Sequence, residues 1–482
     1  MRAKADAVVA GGGLAGVACA HYLARTHGAR VLIVDPRPFL SYTSALSTEC
    51  YRNYWATHRP MTAFMNRSID LLEQRASECD NAFSMSRRGY CFLSATDDGA
   101  RRHLEAARLA GPSARVFDHA AAAPTYEPHA AYDAPDGGLA VLSGGEAVRS
   151  FFSPLGAFLS REVKSAMFAP RCGWMNAQQM GSHLLAQAKA AGVETLAGAR
   201  VVGVEAEQGA LRQVIVAGRE GEVRVACGSL VNCAGPHAAE VHRMMLRGVS
   251  EAAEREAALQ LALRNEVHAK AVLRDRVGAV PQDAPMLIWD DDVSLGWSDE
   301  EREELRGLGG WEATLADVLP AGPHFRPYAG GERSLLLLWE ALHKDVRVSE
   351  PPEDTPQLRG VLFAELMLRG LRRMVPRLGE YLNDDVSLRS MVSVDGGYYA
   401  QTPDNLPLIG PTVGGPTGTY VCAGLSGYGV MASNAAGELL ASHVAGSALP
   451  SAYASDFLPE RWLDADYCAY VQSGQAQKGL QI

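Results

Sequence analysis

The stretch "DAVVAGGGLAGVACAHYLARTHGARVLIVDPRP", residues 6–38, limits what this chain can fold into more than any other. The apolar run after Asp6 predicts a short buried strand. Gly11, Gly13 and Gly16 follow in GxGxxG register. Ala15 to Thr26 predicts a helix, and "RVLIVD" a second buried strand that ends on Asp35. Each part has a mechanical task. Gly11 permits a tight turn, Gly13 lets a pyrophosphate approach the backbone, and Gly16 lets helix and strand pack closely. Leu14 and Ala15 open the helix, whose first N–H groups point at phosphate. Asp35, 19 residues after Gly16, can accept hydrogen bonds from a ribose diol. These residues predict a Rossmann-type dinucleotide-binding domain.

The fingerprint alone does not separate NAD from FAD. It has no counterpart later in the chain, since "GLSGYG" has another glycine spacing. A flavoprotein reductase fed by NADPH would carry a second fingerprint, and a disulfide reductase a close redox cysteine pair. Cys227 and Cys233 are six apart on a strand-like run, so neither reading is supported.

Composition narrows the partners. The 482 residues are 47% hydrophobic and 21% charged, ordinary for a globular protein with a sizeable core. A net charge of -10 and the lack of a basic stripe argue against a nucleic-acid partner. No run approaches the ~20 apolar residues of a membrane span. Four glycines, Gly11, Gly12, Gly13 and Gly16, interrupt the one segment that resembles a signal peptide. Nine cysteines without a CxxC pair or metal-ligand spacing predict reduced thiols, no metal and a cytoplasmic location.

Further along, Met61, Met65, Ile69, Leu72 and Ala76 mark one face of an amphipathic helix behind Pro60. "FSMSRRGYCFLS" (Phe83–Ser94) reads as a strand with a bend at Arg87–Gly89. A short helix is expected near Arg102–Ala110. Asn176 caps a helix ending near Gly192, and alternating strands then run to "LVNCAG". Val267–Val272, Met286–Trp289 and Leu335–Trp339 read as strands of a larger sheet. "SDEEREELRG" predicts a solvated helix, "HKDVRVSEPPEDTPQ" a loop, and Leu358–Met374 a helix stopped before Pro376. Thr419–Ala423, a glycine turn and Val430–Val444 give a second strand–turn–helix with an anion-friendly helix start.

"GGGLAG", "RCGWMNAQQMGSHLLAQAKAAGVE", "LVNCAGPHAAEV", "FRPY", "TPDNLPLIGP" and "GLSGYGVMASNAAGELLA" occur in one order and spacing. In that order they resemble the D-amino-acid oxidase-like flavoproteins, which include glycine oxidase, sarcosine oxidase, dimethylglycine dehydrogenase and L-2-hydroxyglutarate dehydrogenase. The similarity spans most of Asp6 to Gly446. It implies FAD and an α/β plus α+β architecture. A discontinuous FAD domain (1–79, 170–262 and 398–482) would stand beside a substrate domain (80–169 and 263–397) whose large mixed sheet roofs the isoalloxazine. By the same resemblance Val202 sits where backbone meets adenine, and Ala234 and Gly235 close the turn over the dinucleotide. Gly410 belongs to the "TPDNLPLIGP" segment. Gly427, Gly429, Val430 and Met431 meet the flavin's pyrimidine edge.

In that family "LSTECYRNYW", Leu46 to Trp55, would run beneath the pyrophosphate and up to the flavin. Ser47 and Thr48 would then donate to the cofactor, and Tyr51, Arg52 and Trp55 would reach the substrate face. A carboxylate-bearing substrate needs an anchor, usually an Arg because of its bidentate fork. Arg52 and Arg326 are the candidates, with Tyr328, Tyr398, Tyr399 and Tyr428 nearby. Tyr428 stands where many relatives have His, and Gln401 where several amino-acid oxidases have an Arg-containing run. The early loop offers Cys50 but no His before His58, so FAD is expected to be non-covalent. The expected reaction is oxidation of the C–N bond of an amino acid or secondary amine by hydride transfer to flavin N5. O2 or an electron-transfer acceptor would reoxidise the flavin. The alternatives are a 2-hydroxy-acid dehydrogenase and a non-catalytic flavin-containing assembly factor.

Overall fold

The computed structural model describes residues 4–55, 58–110, 113–129, 131–133, 138–247, 263–329, 332–342, 344–345, 360–383 and 385–474. The N-terminal fingerprint folds as expected: strand Ala7–Ala10, helix Leu14–His27, strand Val31–Asp35. All four residues of the first strand are buried, as a parallel strand covered on both faces should be.

These strands belong to a six-stranded sheet. Its order is Leu408–Pro411, Thr419–Ala423, Ser229–Asn232, Ala7–Ala10, Val31–Asp35 and Glu194–Ala197. All neighbours are parallel except the Leu408–Pro411 edge strand. The helix Gly429–Ala445 packs on the first helix through small residues: a Cβ on Gly437 would lie 2.6 Å from the Ala18 carbonyl carbon. That contact joins the two ends of the chain and explains why both helices are rich in Ala and Gly. The carboxyl ends of the central strands open on a crevice, the usual ligand position in such sheets.

A ten-stranded mixed sheet forms the second layer. It contains Arg264–Arg274, Arg333–Leu338, His324–Ala329, Met286–Trp289, Tyr90–Ser94 and Ser165–Ala169 in that order, with Val392–Gln401 paired to Arg264–Arg274. Alternation sorts its faces. Leu287, Trp289, Leu335, Leu337 and Phe325 join a core with helix Gly360–Leu371. Tyr90, Phe92, Met286 and Ile288 face the other way, into a cluster with Cys50 and Cys172.

Several expectations shift. The Phe83–Ser94 strand begins only at Tyr90, the Arg102–Ala110 helix begins at Asp97, and the helix expected over Leu358–Met374 is described over Gly360–Leu371. The acidic helix is Asp299–Leu308 with a full Ser298/Glu301 capping box. The expected boundary between 397 and 398 falls inside the continuous strand Val392–Gln401. Most of "HKDVRVSEPPEDTPQ" lies outside the described residues.

Candidate active site

A cleft of about 490 Å³ runs from the N-terminal glycine turn, past the start of the helix Gly429–Ala445, to the large sheet, on the face that carries Tyr90 and Met286. At its first end Gly11 and Gly16 make the tight turn and close packing expected of them. Gly11 has φ +117°, and a Cβ there would strike the Cys233 carbonyl oxygen; a Cβ on Gly16 would strike the Gly11 carbonyl. Strand end, turn and helix are thus in backbone contact. Ser44 Oγ accepts from the Leu14 N–H at 3.1 Å. Asp35 accepts from the Gly12 N–H at 2.6 Å and the Arg37 N–H at 2.7 Å. A carboxylate has about four acceptor sites, so two remain for a diol. Ala234 and Gly235 line the same end, and a Cβ on Gly235 would meet nothing within 4 Å.

In the middle of the cleft, Gly427, Gly429, Val430 and Met431 line the start of the second helix. Tyr428 occupies its N-cap position, and no side chain caps the helix. Its first N–H groups therefore face the cleft without an intrahelical acceptor. A Cβ on Gly427 would collide with the Tyr399 ring, so this glycine lets the ring lie against the turn. The Tyr428 hydroxyl donates to the Asn405 carbonyl at 2.7 Å, and its ring meets Trp55 edge-on at 5.3 Å. Burial and the nearby Asp404 charge push its phenol well up. Asp404 is itself held by Arg461 at 2.7 Å and Tyr467 at 2.8 Å.

"LSTECYRNYW" lies across the floor. Cys50–Arg52 form a three-residue strand against Cys172–Trp174, and its alternation sorts the mixed chemistry. Cys50 and Arg52 line the cleft. Tyr51 points into the core, where its hydroxyl donates to the Ser86 carbonyl at 2.8 Å. Arg52 is 8% exposed, its guanidinium 4.1 Å from the Trp55 ring centroid. Burial pulls its pKa down, but a guanidinium stays charged. Ser47 and Thr48 line the cleft. Ser47 Oγ accepts from the Glu49 N–H at 2.9 Å, and the Thr48 carbonyl accepts from Arg326 at 2.8 Å.

The roof contributes side chains from neighbouring strands. Lys270 pairs in register with Leu338, and Leu338 with His324; all three line the cleft with His268, Met286, Trp339 and Glu340. His268 stacks on Tyr399 at 3.7 Å and 11°, with Nε2 3.3 Å from the buried Glu266 carboxylate. Lys270 donates to the Leu46 carbonyl at 2.9 Å and pairs with Asp395. His324 Nδ1 lies 2.7 Å from the Gly322 carbonyl, so that nitrogen carries the proton. Burial lowers the His324 pKa to about 4, so the ring is neutral at pH 7.

The sequence matches the family described as FAD dependent oxidoreductase (DAO) over residues 6–443. The chain belongs to this family. No curated protein matches its sequence. Solved structures share the fold at low identity. L-proline dehydrogenase from P. horikoshii is 19% identical with a TM-score of 0.67, covering 95% of this chain and 98% of that one. Glycine oxidase from Geobacillus kaustophilus is 17% identical at 0.65, covering 94% and 98%. L-amino acid deaminase from Proteus vulgaris is 15% identical at 0.62, covering 96% and 98%.

The residues fit the oxidoreductase's FAD: two glycine turns opened to backbone approach, a carboxylate with spare acceptor sites, and an uncapped helix start share one cleft. Of the residues expected here, Gly11, Gly13, Leu14, Ala15, Asp35, Ser47, Thr48, Ala234, Gly235, Gly427, Gly429, Val430 and Met431 line it, as do Arg52, Tyr398, Tyr399 and Tyr428. Gly16 packs behind the turn. Val202 sits at a bulge beside Val201, which does line the cleft. Gly410 packs under Leu458 on the edge strand.

The larger correction concerns Arg326 and Tyr328, which do not line the cleft. Arg326 is 1% exposed and donates to the carbonyls of Thr48 and Pro327, with Glu49 Oε2 at 3.2 Å. The Tyr328 ring lies beside it at 5.3 Å. Arg326 braces the floor loop from behind. Tyr51 likewise turns into the core. Ser44, His268, Lys270, His324 and Glu340 were not foreseen. The only trace of the roof groups in the sequence is the alternation of His268 and Lys270 with apolar residues in "VHAKAV".

Proposed function

We propose that this flavoenzyme oxidises the C–N bond of an amino acid or secondary amine that bears a carboxylate. The observation that carries the reading is Arg52, a nearly buried guanidinium on the cleft wall, held over Trp55. A cation there can take a carboxylate bidentately, which fixes the adjacent C–H bond in orientation. FAD, when bound, accepts the hydride equivalent at N5. The N–H groups at the start of Gly429–Ala445 would favour negative charge on a flavin held in the cleft. Neutral His324, its Nδ1 proton committed to Gly322, offers an acceptor at Nε2 to a substrate N–H. Tyr399, stacked on His268, and the roof residues Tyr90 and Met286 exclude water. The proline, glycine and amino-acid substrates in the neighbours' names are all carboxylate-bearing amines, in keeping with this reading.

FAD is held non-covalently in this proposal. Cys50 is a neutral thiol, raised by burial and donating to the Thr48 carbonyl at 3.1 Å. His58 is committed to the Met61 N–H at a helix start. Acid precipitation leaves the yellow colour in the supernatant; colour in the pellet refutes this point. For the reaction, incubation with a panel of amino acids and N-methyl amino acids, with an artificial electron acceptor supplied besides air, is expected to reduce the acceptor and yield an imine or its hydrolysis products with one of them. Turnover of 2-hydroxy acids alone would overturn the reading. Reoxidation by air, or its failure, then separates an oxidase from a dehydrogenase.

A further inference from the structure

Three thiols from distant parts of the chain meet behind the N-terminal glycine turn. Cys19 comes from the first helix, Cys233 from the turn after Ser229–Asn232, and Cys422 from strand Thr419–Ala423. Their sulfurs all lie within 4.8 Å of one another, and those of Cys19 and Cys233 are 3.6 Å apart. All three are buried and in the free thiol form. Nothing in the flavin reading uses them. Cys233 and Cys422 also line the cleft, which gives the trio an approach.

Charge decides which ligand such a set can hold. Cys19, Cys233 and Cys422 sit in an apolar cluster with Val9, Val17, Ile33 and Val231. Structural zinc wants a fourth ligand, and among the described residues no other His, Cys, Asp or Glu joins the trio. Copper(I) on three thiolates would bury two net negative charges, which an apolar layer strongly disfavours. A trivalent metalloid ends neutral. Arsenous acid condenses with three thiols to form three As–S bonds. Each thiol proton leaves with an arsenic hydroxyl as water, and no oxidation state changes.

We propose that Cys19, Cys233 and Cys422 form a trithiol site for trivalent arsenic, and that occupation of this site and binding of FAD exclude each other. The exclusion follows from what the sulfurs support. The Cys233 carbonyl abuts Gly11, and a Cβ on Gly16 would lie 3.3 Å from the Cys233 Cβ. Drawing the sulfurs to a common centre moves the turn that cradles pyrophosphate. FAD held in the cleft would in turn cover Cys233 and Cys422, which line it. Linkage makes the two effects reciprocal. The exclusion rests on the family's FAD site; formation of the adduct does not.

The test uses full-length protein, with FAD bound and after stripping, treated with arsenite and read by intact mass. Stripped protein is expected to gain one arsenic less three hydrogens, and FAD-bound protein to stay unmodified over the same time. Treated protein then binds FAD at least roughly tenfold more weakly, and a dithiol restores uptake. Cys422→Ala loses the three-hydrogen adduct, whereas Cys227→Ala, at a buried thiol elsewhere, keeps it. Absence of the adduct from wild type, or its persistence in Cys422→Ala, overturns the site. Equal modification with and without FAD overturns the exclusion alone. If Cys422→Ala fails to fold, X-ray absorption of the wild-type adduct decides: three sulfurs on arsenic support the trio, and two refute it.

Discussion

At the dinucleotide end of the cleft the groups on offer are backbone N–H donors, brought close by glycines. At the roof end they are side chains: Arg52 from below, His268, Lys270 and His324 from strands that meet only in the folded sheet, and Glu340 from the turn after one of them. The first end has little freedom to vary where backbone encloses the glycine, as it does at Gly11 and Gly16. The second can change its chemistry one side chain at a time. Such a division lets one cofactor site serve many substrates.

Substitutions can break the contrast. The largest effect is expected from Gly16→Ala, whose Cβ must displace the Gly11 carbonyl. Flavin content should fall to nearly nothing, with about 3 kcal/mol of stability lost; absorbance and thermal melting measure both. A variant that keeps its flavin would show that the turn tolerates movement.

Arg52→Ala should retain flavin and melting temperature but lose about 10³-fold in kcat/KM, the scale of a lost buried charge partner. Arg326→Ala should do the reverse. Removing the donor to Thr48 and Glu49 costs about 3 kcal/mol of stability, seen in melting, while the substrate KM of the remaining folded enzyme moves little. An exchange of these phenotypes would make Arg326 the anchor.

The roof also carries a pH signature. Burial holds His324 down at about 4, and His21, beside the cationic Arg75, at about 3, against the ordinary 6.5. Between pH 6.5 and 4 the unfolded chain takes up protons that the folded one refuses. The His324 contribution is therefore complete above pH 6.5 and is lost as the pH falls to about 4, whereas that of His21, on the first helix and not the roof, is lost further down to about 3. His324→Gln should flatten the melting temperature against pH between 6.5 and 4. An unchanged slope would mean that His324 is not kept neutral.

The smallest effect belongs to Tyr428→Phe. It loses the bond to the Asn405 carbonyl, about 1 kcal/mol, with flavin content and kcat nearly intact. A large fall in kcat would give the phenol a chemical role that its engagement with Asn405 argues against.

The same contrast explains what was legible in the sequence. Backbone turns need particular residues at fixed spacings, so the strand, glycine turn and helix around Gly11, Gly13 and Gly16 were legible, as was the second strand–turn–helix. The roof is set by cross-strand register, part of it between segments as distant as Lys270 and Leu338, and register leaves no spacing motif. Arg326 was misread because "RP" at a strand end looks alike whether its guanidinium enters the cleft or braces the loop behind it. Tyr51 was misread because a three-residue strand is too short to reveal its alternation.

The most direct test is anaerobic mixing of the FAD-loaded protein with matched pairs, an amino acid or N-methyl amino acid and the 2-hydroxy acid of the same skeleton. The account predicts that the flavin's visible absorbance bleaches with the amine of at least one pair, and that Arg52→Ala slows this bleaching about 10³-fold at low substrate. Bleaching by the hydroxy acids alone, by no member of any pair, or at the same rate in Arg52→Ala would contradict it.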